Sequence, residues 1–365
     1  LFPFRHISVP QQHPFPMIIQ HNISLKSYNT FGIAATANAF CTVTSMDDLE
    51  YLFSHDHLNT PNALILGGGS NILLTKNLDA LVVKIALKGI NIIREDTNTV
   101  TIEVAAGELW DDVVQYAVSK NWCGLENLSL IPGSMGAAPV QNIGAYSVEL
   151  KDVIVCVKGM MRSTGELREI SALECAFAYR DSIFKRDLRD QYVITSVVMR
   201  LLKNPRVQNL HLEYGALRQE LRQLFPTAKP DEYTIAHVRE AVCQIRRSKL
   251  PDPAIIGNAG SFFKNPEVPF DHYTRIKSQY SDVPFFPAHQ ANTVKIPAGW
   301  MIEQCAWKGK HLAPNSDAAV HDKQALVLVN HGTADGMEIL ELSQKIRASV
   351  EERFGIRLEM EVNAW

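Results

Sequence analysis

The chain has 365 residues, 46% of them apolar and 21% charged, enough for two or three domains with an ordinary globular surface. A net charge of −3 excludes a global positive field, so nucleic acid and anionic membranes are not expected as main partners, and a phosphate-bearing ligand needs local donors. The six cysteines (Cys41, Cys123, Cys156, Cys175, Cys243, Cys305) stand singly, without CxxC or CxxH spacing. That argues against a metal site or redox dithiol and fits a reducing cytoplasm.

Residues 1–16 carry four prolines and no periodicity, and they lack the apolar core of a secretory signal. They read as a tail or tag, with Met17 a plausible natural start. The run around Val193 to Leu202 is broken by Thr195 and Arg200, so no stretch reaches membrane-spanning length.

Ala63 to Leu66 reads as a buried strand leaving into Gly67-Gly68-Gly69-Ser70-Asn71. Strands follow at Ile72 to Leu74, Ala80 to Ile85 and Thr99 to Ala105. From Glu108 to Trp122 the apolar spacing is helical. Gly124 to Tyr146 is a long irregular segment, and a loop of that length inside a compact domain usually serves function. Strands are expected again at Asp152 to Met160 and Tyr192 to Leu201, around a turn at Ser163-Thr164-Gly165. Helices are expected over Gly215 to Leu224 and Ile235 to Arg247, then a linker, Ser248 to Pro253, set by two prolines. The remainder reads as a glycine-rich turn, helices at Phe270 to Tyr280 and Gly299 to Ala306, and a strand at Ala325 to Asn330. It closes with a helix from Met337 to Phe354 and a strand from Arg357 to Val362.

Two small-residue loops stand out. Gly67 to Asn71 lets backbone N–H groups converge on an anion, but it has neither the GxGxxG spacing of a Rossmann turn nor the Gly-Lys-Ser/Thr ending of a P-loop. By itself it is as often a plain tight turn. Pro132 to Tyr146 is dominated by small residues, so a bulky flat ligand can approach its backbone; the bland alternative is a loop packed by its own side chains. Together they favour a large dinucleotide.

Three further segments invite chemistry. Ser261, inside Gly257-Asn258-Ala259-Gly260-Ser261-Phe262-Phe263-Lys264-Asn265-Pro266, sits between a glycine and two aromatics, although serines in such turns mostly cap backbone groups. Arg180, in Tyr179 to Lys185, has the ordinary alternative of a surface ion pair. Along the terminal segment Arg357, Glu359 and Glu361 alternate with Leu358, Met360 and Val362, which by itself reads as a solvated strand face for Glu361.

Taken in order, these segments resemble the UDP-N-acetylenolpyruvoylglucosamine reductases, the MurB family. The resemblance begins at Asn29-Thr30-Phe31-Gly32 and passes through both glycine loops and Tyr179 to Lys185. It continues through Lys249-Leu250-Pro251-Asp252-Pro253, the Gly257 block and Ala298-Gly299-Trp300 to Glu359-Met360-Glu361-Val362. It runs from about Asn22 to Val362.

The resemblance implies an α+β protein: an FAD-binding fold of the vanillyl-alcohol-oxidase type in two α/β subdomains, plus a C-terminal α/β substrate-binding domain. The expected bounds are 17–87 and 88–250 for the subdomains, 251–356 for the third domain and 357–365 for a terminal strand bearing the catalytic glutamate. It implies FAD as cofactor and NADPH as hydride donor, with the enolpyruvyl ether of a UDP-sugar as small-molecule substrate. A cytoplasmic monomer is expected, with no nucleic acid, membrane or metal.

Cofactor contacts are expected from Gly67, Gly68, Gly69, Ser70, Asn71 and Ile72 on the first loop. On the second they are expected from Pro132, Gly133, Ser134, Gly136, Ala137, Asn142, Gly144 and Ala145, and beyond both from Arg246. Tyr214, on the tyrosine-bearing loop of the longer subtype, is expected over the substrate diphosphate, with Lys249, Asn265 and Gln324 holding the UDP-sugar. Arg180 and Glu361 would stabilise the enol-type intermediate and Ser261 would supply the proton. Two positions depart from the pattern: Asn363, where a basic residue is often found, and Ser147, where a glycine is. The rivals are a flavin oxidase on the same scaffold and an inactive flavin- or UDP-sugar-binding protein.

Overall fold

A computed structural model describes residues 17–58, 63–288 and 290–365. The expected tail at 1–16 lies outside the described residues.

The first sheet has the order Gln20–Ser24, Thr36–Val43, Leu78–Ile85, Ala63–Leu66, antiparallel in its first pair and parallel in the other two. Side chains of a strand alternate between faces, and here both faces are covered. Ala37, Phe40 and Val82 enter one core; Cys41, Val43, Val83 and Ile85 enter the other. The helix Met46–Ser54 starts where Ser45 accepts from Asp48 N and the Asp48 carboxylate accepts from Ser45 N, a reciprocal cap.

The second sheet has the order Leu167–Ser171, Ile154–Met161, Tyr192–Lys203, Thr99–Ala105, Ile90–Glu95, all antiparallel, with Trp122–Cys123 pairing on the long strand. Val100, Val104, Val157, Val193 and Val197 face the core shared with the first sheet. The helices Gly215–Leu224 and Ile235–Lys249 form a small core of their own. Arg239 joins the longer helix to the helix Trp110–Ser119 by two hydrogen bonds to Asp111, at 2.7 and 2.9 Å.

The C-terminal part holds two small antiparallel sheets and the helix Gly336–Phe354. That helix is started by an Asp335–Glu338 capping box and stopped by Gly355 at φ 65°. Its inner face (Ile339, Leu342, Ile346, Val350, Phe354) joins the same core as Leu25, Phe31, Phe40 and Val82. The first sheet and the C-terminal elements therefore share one hydrophobic interior.

Three expectations need correction. Arg357 to Val362 is not a strand: only Met360 bridges to Phe263, and pairing resumes at Asn363–Ala364, parallel to Ile72–Leu73. The glycine-rich turn at Gly257 is a strand, Gly257–Ser261, paired with Val327–Asn330 and irregular between Asn258 and Ser261. The elements Gln20–Ser24, Thr36–Val43, Met46–Ser54, Ile90–Glu95 and Leu167–Ser171 were not anticipated. Composition hides them: Thr36–Val43 carries two alanines and an asparagine, and Ile90–Glu95 is an exposed edge without alternation.

Candidate active site

The two glycine loops meet backbone to backbone. A Cβ on Gly68 would lie 2.6 Å from Gly133 Cα, and one on Gly67 would lie 2.7 Å from Ser134 Oγ. Gly69, at φ 68°, has Tyr28 O where a side chain would begin. Ser70 Oγ donates to Pro132 O at 3.1 Å, and Lys84 Nζ donates to Gly67 O from beneath. The glycines thus serve close loop-to-loop approach as well as leaving N–H groups open.

Between the loops lies a cavity of about 360 Å³. Its wall includes Gly67 to Ile72, Pro132 to Ser134, Gly136, Ala137, Gly144, Arg246, Arg180, Ser261 and Glu361, so most of the expected residues converge. Lys185, Arg189, Gln141, Asn363 and Trp365 also line it; Gln141 and Lys185 lie in segments the sequence marked and Asn363 is one of its departures, whereas no motif pointed to Arg189 or Trp365.

Arg180 sits at φ 53°, a conformation that costs a non-glycine residue about 1–2 kcal/mol. Its side chain is held from three sides. Nη2 donates to Gly144 O at 2.8 Å, Nε pairs with Glu361 Oε1 at 3.1 Å, and the guanidinium stands 5.2 Å from the Tyr179 ring centre. Lys295 Nζ lies over the other partner of this cluster, 3.4 Å from the Tyr179 centroid and 3.4 Å from Glu267. Lys185 Nζ donates to Arg180 O at 3.4 Å.

Glu361 is only 8% exposed, so the alternation that would send it to solvent fails at this one position. Burial pushes its carboxyl up from the ordinary range, against the opposing pull of Arg180, Lys185 and Lys264. Its backbone is pinned by Glu361 N donating to Phe262 O at 2.9 Å and by Asn71 Nδ2 donating to Glu361 O at 3.3 Å. The same Asn71 amide donates to Gln141 Oε1 at 2.7 Å, so one side chain ties the first loop, the second loop and the terminal segment together. Asn363 donates to Asn71 O from its backbone at 3.1 Å and its side chain at 3.2 Å, which gives the departure from a basic residue a structural use.

Ser261 reaches the cavity wall at the end of its strand, directly after Gly260 at φ 70°. Gly144-Ala145 and Val148-Glu149 form a hairpin around Tyr146 and Ser147, at φ 49° and 67°. Both central residues are left-handed, as in a type I′ turn, which is why glycine suits position 147.

Six expected contacts stand off the wall. Asn142 is fully buried and braces the second loop, its amide donating to Glu149 Oε2 and Ala178 O and its Oδ1 accepting from Lys151 N. Ala145 is half-buried in the hairpin. Asn265 Oδ1 accepts from Ala298 N at 2.9 Å, and Asn265 also bonds Tyr179, the neighbour of Arg180. Gln324 Oε1 stands 3.1 Å from where a Cβ on Gly299 would be, so Gly299 admits it. Lys249 is exposed at the end of its helix, and Tyr214 is half-exposed.

The cavity has unmet donors. Ser134 Oγ and Arg246 Nε are buried on its wall with no hydrogen-bond partner among the described residues. Two orphaned donors beside two glycine loops fit an anionic, oxygen-rich dinucleotide such as FAD. Among the described residues no cluster of three metal-ligating side chains occurs, and no helix is long and apolar enough to cross a membrane.

Comparison with known proteins agrees. Residues 37–171 match the FAD binding domain, and residues 252–365 match the UDP-N-acetylenolpyruvoylglucosamine reductase C-terminal domain. The chain is 46% identical over 347 residues to the UDP-N-acetylenolpyruvoylglucosamine reductase of Pseudomonas savastanoi pv. phaseolicola, covering 95% of this chain and 99% of that protein. The same figures hold for the reductase of Flavobacterium johnsoniae. The crystal structure of the Thermus caldophilus reductase, 22% identical, superposes with a TM-score of 0.66 over 96% of this chain and 99% of that one, which supports the fold. The α+β class expected from the sequence is the class observed. By identity, coverage and fold, the chain belongs to the UDP-N-acetylenolpyruvoylglucosamine reductase family.

Proposed function

We propose that this flavoenzyme reduces UDP-N-acetylglucosamine enolpyruvate to UDP-N-acetylmuramate, a peptidoglycan precursor, with Arg180, Ser261 and Glu361 as its catalytic residues. The carrying observation is that these three side chains, from segments 81 and 100 residues apart, reach the wall of the cavity that the two glycine loops also line.

FAD would lie against Gly67 to Ile72 and Pro132 to Ala137, with Arg246 and Ser134 donating to it; when bound, it would supply hydride transfer from NADPH to the vinyl carbon of the substrate. As that carbon gains hydrogen, negative charge spreads from its neighbour into the carboxylate. The Arg180 guanidinium, fixed by Gly144 O, faces that charge. Burial favours the neutral form of Glu361, and in that form it would donate a hydrogen bond to the carboxylate instead of repelling it. Ser261 Oγ gives its proton to the carbanionic carbon and regains one from solvent.

Tyr214, Lys249, Asn265 and Gln324 hold the UDP-sugar in this reading. The working partition of the chain is 17–87 and 88–250 around the cofactor, 251–356 over the substrate and 357–365 carrying Glu361. We read the protein as a cytoplasmic monomer; free cysteines at all six positions accord with the reducing compartment.

The test is anaerobic stopped-flow absorbance at about 450 nm. Bleaching by NADPH followed by recovery on adding the enolpyruvyl UDP-sugar is expected. Recovery with oxygen alone would indicate an oxidase, and a protein that cannot take up FAD would remove the assignment.

A further inference from the structure

Tyr214 stands off the cavity wall, 37% exposed, just before the helix Gly215–Leu224. Two contacts draw its segment inward. Its ring meets Tyr146 edge-on, with centroids 5.2 Å apart and planes at 82°. The amide of Asn127, only 1% exposed, donates to two carbonyls at once: Tyr146 O at 3.1 Å and His211 O at 2.9 Å. One belongs to the hairpin beside the cavity, the other to the segment leading into Tyr214.

Tyr146 has a second partner. The Arg246 guanidinium lies close enough to act on its hydroxyl electrostatically, and Arg246 lines the cavity with its Nε still unpartnered. A continuous path therefore runs from Tyr214 through Tyr146 to Arg246, and Asn127 closes it from behind.

We propose that Asn127 and Tyr146 are positioning residues: Asn127 clips the Tyr214 segment to the hairpin, and Tyr146 holds Tyr214 and Arg246 in one fixed relation. This rests on the preceding reading, in which Tyr214 meets the sugar diphosphate and Arg246 the cofactor. A half-exposed tyrosine on a connecting segment has many competing orientations, and any unproductive population raises the apparent dissociation constant in proportion. Two buried hydrogen bonds are enough to shift such a segment by about tenfold or more. Only the donor half of the Asn127 side chain is used: its Oδ1 is buried without a partner among the described residues. The position thus needs an amide and not a carboxylate, which would face two carbonyl oxygens.

The test is a double-mutant cycle on the FAD-loaded protein. Asn127→Leu and Tyr146→Leu are each made alone and in a Tyr214→Ala background. Each alone should raise the KM for the UDP-sugar about tenfold while kcat changes less than about threefold. Each should cost little once Tyr214 is already alanine, because the element they position is gone. Equal losses in both backgrounds would mean they merely support the fold, and would overturn the proposal. Should the leucine variants fail to retain flavin, Tyr146→Phe carries the test. It keeps the ring against Tyr214 but removes the hydroxyl beside Arg246, so the bound-flavin spectrum should shift with the sugar KM maintained; an unchanged spectrum overturns the link. A parent protein that does not bleach with NADPH and recover with the sugar would defeat the functional reading itself, whatever the cycle gives.

Discussion

At Glu361 two effects oppose each other: burial favours the neutral acid, while Arg180, Lys185 and Lys264 favour the carboxylate. Burial dominates, so the folded pKa lies above the ordinary 4.5. The sign for catalysis follows. The proton needed to face the substrate carboxylate is present below the folded pKa and lost as pH rises through it. The rate of the sugar-reducing half-step should therefore fall on the alkaline side, and Glu361→Gln should flatten that limb while slowing the step; an identical pH profile in the variant would exclude Glu361 as the titrating group. The same proton affects stability with the same sign: what the buried acid contributes is complete below the unfolded pKa and disappears as pH climbs to the folded one. For Ser261→Ala, sugar reduction should drop by about 10²-fold or more with flavin reduction by NADPH nearly intact. Single-turnover measurement of both half-steps checks this, and equal losses would make Ser261 positional. Ser261 and Arg180 were marked by motif order and the family resemblance, and both line the cavity. The burial of Glu361 was not legible, because alternation is a local rule, and the atoms that hold Glu361 belong to Phe262 and to Asn71, 290 positions away.

Among the elements, the glycine loops separate two reasons for lacking a side chain. Gly68→Ala would press a methyl into Gly133 Cα, backbone against backbone, so neither side can yield cheaply. It should cost about 1–3 kcal/mol and weaken FAD binding, measurable by thermal unfolding and flavin titration. Gly260→Ala meets nothing within 4 Å and suffers only from φ 70°, so a smaller loss of about 1 kcal/mol is expected, with FAD affinity maintained. At the hairpin the sign reverses. Ser147 already occupies φ 67°, and Ser147→Gly should stabilise the protein by about 0.5–1 kcal/mol; a lower melting temperature would show that the serine side chain compensates. These loops were readable as small-residue runs, yet their mutual packing was not, since nothing local announces that Gly68 will face Gly133. The strand Thr36–Val43 escaped notice for a related reason: sandwiched between two cores, it needs small residues that carry little strand preference.

For the molecule as a whole, the shared core decides how the chain comes apart. Leu342 on the last long helix and Phe40 and Val82 in the first sheet belong to one cluster, although more than 250 residues separate them. Leu342→Ala should cost about 2–5 kcal/mol. It should speed amide exchange in Thr36–Val43 and Gly336–Phe354 alike; a strand that stays protected while the helix opens would show two independent units.

That arrangement also orders events in time. The segment holding Glu361 is woven beside Asn71 and Ile72, among the earliest-made parts of the fold. Because the first sheet shares its interior with the helix Gly336–Phe354, a nascent chain should be unable to complete that core until translation has passed the helix and is close to the glutamate. A chain cut before that helix should therefore lack both a finished core and the glutamate, and cradle and activity should appear together as one late step of synthesis.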